Sequence, residues 1–106
     1  MRRVVLEGER EVTAPGSVSA RVRRLAAQAH AVVIEIAPGG VVGRHLAGVT
    51  QLFAVVRGAG WVSGPDGERQ RIAAGEAVLW EAGEEHESGS DEGMTALVVE
   101  AESIDL

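Results

Sequence analysis

Gln51 is the residue whose setting first asks for a chemical explanation. It opens the run Gln51-Leu52-Phe53-Ala54-Val55-Val56, which reads as a strand, so Gln51, Phe53 and Val55 share one face and Leu52, Ala54 and Val56 the other. Both faces are apolar apart from Gln51. A strand apolar on both sides is covered on both, which suits a barrel interior on one face and a second layer, such as a partner subunit, on the other. An amide in such surroundings needs hydrogen-bond partners or a ligand, because leaving it unsatisfied costs roughly 1–3 kcal/mol. Gln51 is therefore a site candidate on physical grounds alone. The chain has no cysteine, which rules out disulfides, thiolate metal sites and a cysteine nucleophile. Any metal would have to be held by imidazole, carboxylate or amide groups, and the imidazoles are those of His30, His45 and His86.

The elements that must position these groups come as short apolar clusters separated by Gly, Pro and Asp, the rhythm of strands and tight turns. The pattern predicts an all-β protein with strands at Val18 to Leu25, Ala31 to Ile36, Val41 to His45, Gln51 to Val56, Gly60 to Ser63, Gln70 to Ile72, Ala77 to Trp80, His86 to Ser88 and Thr95 to Glu100. Pro38-Gly39-Gly40 and Gly64-Pro65-Asp66-Gly67 are turn sequences, and Gly83 permits a positive φ before the next strand. Arg21 to Ala31 contains helix formers and admits a helical turn, without the cap or full apolar stripe of a long helix. Asp91, Glu92 and Gly93 form a polar loop before the last strand, and no repeat or linker interrupts the chain.

A length of 106 residues suits a single domain spanning 1–106. With 45% apolar and 25% charged residues the composition is that of a folded globule. The first ten residues lack a secretory apolar core and no stretch approaches membrane-spanning length, so a cytoplasmic protein is expected. The net charge of -6, with acids crowded toward the C-terminal half, argues against nucleic acid as a partner.

The spacing of several residues resembles the cupin superfamily. The first pattern of that family runs Gly, five residues, His, one residue, His, three or four residues, Glu, six residues, Gly. Here it is matched over about 39–58 by Gly39, His45 and Gly58, with Ala47 at the second His and Gln51 at the Glu. The second runs Gly, five residues, Pro, one residue, Gly, two residues, His, three residues, Asn. It is matched over about 75–90 by Gly75, Gly83 and His86, with Glu81 replacing Pro and Ser90 replacing Asn. The resemblance covers roughly Ala31 to Glu100 and implies a double-stranded β-helix, or jelly roll, with motif residues pointing into the barrel.

Family members with the full motif hold a divalent ion through three His and one Glu. The resemblance thus implies a metal site of His45, Gln51 and His86, with Fe, Mn, Ni or Zn as the candidate ions, and with open positions for water or substrate. Replacing Glu by Gln removes the anionic ligand, so such a centre would be weak. Ala47, two residues from His45, is expected to face the same centre and leave room there. Glu85 and Glu87 flank His86, alternate away from its face, and by their charge should favour its protonated form. Phe53, Val55 and Trp80 are candidate ligand-binding residues, while His30 reads as a rim or structural residue and Trp61 as a core or interface anchor.

Two functional readings follow. One is a metal-binding small cupin acting on or sensing a small organic molecule, with oxygenase- or isomerase-like chemistry if it is an enzyme. The other is a metal-free, non-catalytic binding module that holds an apolar or anionic metabolite, with the two histidines as hydrogen-bond donors. The apolar outer face of Leu52, Ala54 and Val56, together with the resemblance, implies a homodimer.

Overall fold

A computed structural model describes residues 1–4, 10–11, 21–22 and 29–104. Among them there is no helix, and the elements in chain order are β1 (Arg2–Val4), β2 (Arg10–Glu11), β3 (Arg21–Val22), β4 (His30–Ile36), β5 (Gly40–Leu46), β6 (Thr50–Ser63), β7 (Gln70–Ala73), β8 (Ala77–Trp80), β9 (Glu85–Ser90) and β10 (Met94–Ala101). The expected strand at Val18 to Leu25 is described only at Arg21–Val22, which pairs with Arg10–Glu11; the rest of it, and most of the proposed helical turn, lie outside the described residues. The strand at Arg2–Val4 was not legible in the sequence. It borders β8, with Arg2 opposite Leu79 and Val4 opposite Ala77. Among the described residues no helix is long and apolar enough to cross a membrane.

The segments expected as two strands, Gln51 to Val56 and Gly60 to Ser63, are one strand of 14 residues. Its first half lies between β8 and β10, in a sheet ordered β1-β8-β6-β10-β4, and its second half pairs with β7 and with β9, which in turn carries β5. β6 thus belongs to both layers of the jelly roll. Two features let it turn the corner. Against β10 the register shifts, so that Thr95 faces Arg57 while Ala96 faces Val55, and Val56 is left as a bulge. Gly58 then adopts a φ of 76°, and a Cβ there would run into the carbonyl of Gly93.

The bulge reverses the side-chain parity. Phe53 and Val55 point inward before it, and Val62 points inward after it, all three in one buried cluster with Ile36, Ile72, Val78, Trp80, Met94, Ala96 and Val98. Complete burial of side chains of this size stabilises the fold by about 1.5–3 kcal/mol each. On the outer face Leu52 is 2% exposed, packed with Ala77, Leu79 and Val99 against Val4, Ala54 and Ile104. The chain itself therefore supplies the cover that the sequence suggested a partner would give Leu52. Val56 is 58% exposed, because the bulge takes it out of the ladder.

Candidate functional site

Strand pairing brings the two motif histidines together. His45 on β5 is the direct cross-strand partner of His86 on β9, with ring centroids 4.2 Å apart and planes tilted by 56°. His86 is buried and His45 exposed. Trp80, at the end of β8, stacks on His86 with centroids 4.4 Å apart and meets Phe53 edge-on at 5.5 Å. Its indole N–H is donated to the Ser63 carbonyl at 3.1 Å, which fixes the ring.

Gln51 is the register partner of Trp80 on one side and of Glu100 on the other, and its Nε2 donates to Glu100 Oε1 at 3.3 Å. Glu100 in turn faces His30 across β4. Glu100 is the residue that sequence reasoning passed over. Its place on a strand was foreseen, but the strand order that sets it beside Gln51 was not. Gln51, Glu100 and His30 share the inward face with Phe53, Val98 and Val32 one step deeper along their strands.

That face is open at this end of the barrel. Among the described residues β4 pairs only with β10 and β5 only with β9, so no ladder joins the two strands. Val32 sits opposite the buried Val98 and yet is 46% exposed, and His30 and His45 are exposed as well. Phe53, Val55 and Trp80, expected to line a pocket, are each no more than 2% exposed and belong to the closed core beneath the mouth; Trp80 joins that core to the histidines. Two other clefts lie away from these groups, one of about 580 Å³ beside Glu35, Arg57 and Glu92, the other of about 240 Å³ beside Trp61, Arg69 and Asp91.

The electrostatics at His86 differ from the expectation. Burial holds its imidazole below the ordinary range, aided by the charges of His45 and Arg44, while its bond to the Glu84 carbonyl and the charge of Glu84 oppose this. Glu85 does not reverse the shift because it is exposed and bound by Arg44 Nε at 3.0 Å, and Glu87 lies beside Ser63 Oγ at 3.5 Å. Burial would raise the Glu84 carboxyl, but its bonds to the Met1 ammonium at 2.6 Å and to the Glu81 N–H at 2.7 Å bring it below the usual value.

The donor set does not fit a resident metal. His45 and His86 are the two available imidazoles, but Gln51 is a neutral amide engaged with Glu100, and Ala47 contributes a methyl group at 2% exposure within the core. Among the described residues no three His, Asp or Glu side chains come together as a metal-binding group. Ala47 lies beyond the end of β5, held by backbone bonds from its N–H to Glu84 and from Gly83 to its carbonyl. The space expected beside it is filled.

The model of the cupin domain matches residues 32–100. The chain belongs to the cupin family. Solved structures agree with this cupin in fold. A conserved protein with a double-stranded β-helix domain from Klebsiella pneumoniae has 20% identity and a TM-score of 0.64, with 76% of each chain covered. The polyketide cyclase RemF from Streptomyces resistomycificus has 24% identity and a TM-score of 0.63, covering 76% of this chain and 59% of its own. The DMSP lyase DddQ from Ruegeria pomeroyi has 18% identity and a TM-score of 0.66, covering 72% of this chain and 39% of its own. No curated protein matches the cupin in sequence.

Proposed function

We propose that this cupin binds a small organic molecule at the mouth between β4 and β5, held directly by side chains and not through a resident metal. The observation that carries this reading is the exposure of Val32, a residue on the inward face and opposite the buried Val98, with Gln51 and Glu100 one step along the same face and the His45–His86 pair joined to Gln51 through its register partner Trp80. An exposed apolar side chain beside a few polar groups is in keeping with the mixed lining of a small-molecule site. Two structural neighbours named above, a lyase and a cyclase, are enzymes by name, and the fold hosts many activities, so binding is the common denominator.

The test is a metal-free ligand survey. Protein stripped with chelator is titrated with small organic molecules, and the Cε1 signals of the three histidines are followed by NMR. Saturable shifts confined to His45 and His86, or to these and His30, support the reading. Shifts that occur only when Zn(II), Ni(II), Mn(II) or Fe(II) is supplied restore the metal-binding alternative, in which His45, His86 and Gln51 act as ligands.

A further inference from the structure

The hydrogen-bonding capacity of the mouth is weighted toward acceptors. A carbonyl oxygen only accepts, so His45 Nδ1, 2.6 Å from the Gly43 carbonyl, must carry the proton, and the neutral ring presents Nε2 as an acceptor. His86 Nδ1 faces the Glu84 carbonyl at a longer 3.4 Å with the same consequence. A carboxylate likewise only accepts, so Gln51 turns its NH2 toward Glu100, which uses one of its two N–H groups and leaves Oε1 as an acceptor. The strong donors nearby are already used. Trp80 Nε1 is bound to the Ser63 carbonyl, and Arg44 is bound to Glu85 and to the carbonyls of Gly64 and Pro65.

From this we infer that the ligand is a small organic cation rich in N–H donors, a primary ammonium or guanidinium compound, with its charged end at Glu100 and Gln51 and further donors toward His45 and His86. This rests on the reading of the mouth as a small-molecule site and gives that site its ligand class. An anionic ligand, one of the classes expected for a metal-free module, would meet the Glu100 carboxylate and the lone pairs of His45, His86 and Gln51, against one remaining N–H of Gln51. Burial lowers the His86 pKa, which favours its neutral, acceptor form. The net charge of -6 draws cations toward the molecule at low salt.

The experiment uses the intact chain at pH 8 with EDTA and compares three probes of similar size: putrescine, succinate and glycerol. The readouts are the histidine Cε1 signals and calorimetric affinity. Putrescine is expected to shift the His45 and His86 signals saturably, and Glu100→Gln to weaken it at least tenfold, about 1.4 kcal/mol. Gln51→Glu, which adds charge, is expected to strengthen it, so the inference does not depend on one variant. Binding of succinate or glycerol in place of putrescine, or putrescine binding indifferent to both substitutions, overturns the cation assignment while leaving the mouth as a binding site. If no probe shifts any histidine and only Zn(II) added without EDTA does, the mouth reading falls as well.

Discussion

Trp80 stacks on His86, with centroids 4.4 Å apart and an angle of 29° between the planes, so a fluorophore sits against the buried imidazole. Protonating that imidazole should quench the indole. In Trp61→Phe, which leaves Trp80 as the lone tryptophan, emission is expected to fall with a midpoint below 6.5, since burial lowers the His86 pKa from that value. His45→Ala should move the midpoint upward by removing a neighbouring positive charge. A midpoint at or above 6.5 in the parent would contradict the burial argument.

The same shift makes stability depend on pH with a definite sign. The unfolded chain takes up a proton at His86 near 6.5 and the folded chain only at lower pH, so acidification stabilises the unfolded state. Stability should decline as pH falls through 6.5 and level off below the native pKa. Glu84 acts further down: its depressed pKa contributes stability above 4.5 that is lost as pH falls through the native value. Urea midpoints measured across this range should show two declines, the upper absent in His86→Gln and the lower in Glu84→Gln.

Ala47→His sets stability against metal affinity. The residue is 2% exposed in the core, so an imidazole there overpacks its surroundings, at a cost of about 1–3 kcal/mol. If the new ring reaches the His45–His86 pair, Zn(II) affinity should rise at least tenfold, about 1.4 kcal/mol. Calorimetry in a His86→Ala background is the control, where the gain should vanish. Retention of the gain there would place the new ligand elsewhere.

Gly89 gives a packing test remote from the mouth. A Cβ at this position would lie 2.5 Å from Cζ2 of Trp61, whose ring also carries the Arg69 guanidinium 3.8 Å from its centroid. Gly89→Ala is expected to lower stability by about 1–3 kcal/mol. Combined with Trp61→Ala, the loss should be smaller than the sum of the two single losses, because the clash is gone. Chemical denaturation of the four proteins measures the coupling, and additivity would show that the ring moves aside freely.

Val33, Val56 and Leu97 are 64%, 58% and 37% exposed, and the register puts Leu97 beside Val33 on the outer face. A homodimer that covers this face is the expected state in solution. Light scattering should give a dimer mass that Leu97→Glu reduces to that of the monomer. A monomer mass for the parent at micromolar concentration would rule the interface out.

Turn residues and short apolar runs made the strands legible, and motif spacing made His45 and His86 legible as a pair. Their pairing needs only that β5 and β9 be neighbours, which follows from the jelly roll. Glu100 escaped notice because its importance comes from lying beside Gln51 on a strand about fifty positions away, and local sequence carries no signal for strand order. The continuity of β6 escaped for a different reason. Arg57-Gly58 reads as a break, whereas pairing on both sides carries the strand through it. The lowered pKa of His86 was missed because flanking carboxylates are visible in sequence and burial is not.

The bulge at Val56 means that β6 is written in two reading phases, with inward positions odd before it and even after it. Pairing the strand without the bulge while keeping that residue would merge the phases and turn one half of the strand inside out. Either Val62 would be delivered to solvent and Trp61 to the core, or Phe53 and Val55 would leave the core for the outside. Deleting Val56 would instead keep both halves in phase, since Val55 and Gly58 would then stand two apart, but would remove the corner that lets β6 serve both layers, and the jelly roll should tolerate that far less than a change of equal size in the turn at Pro65 and Asp66.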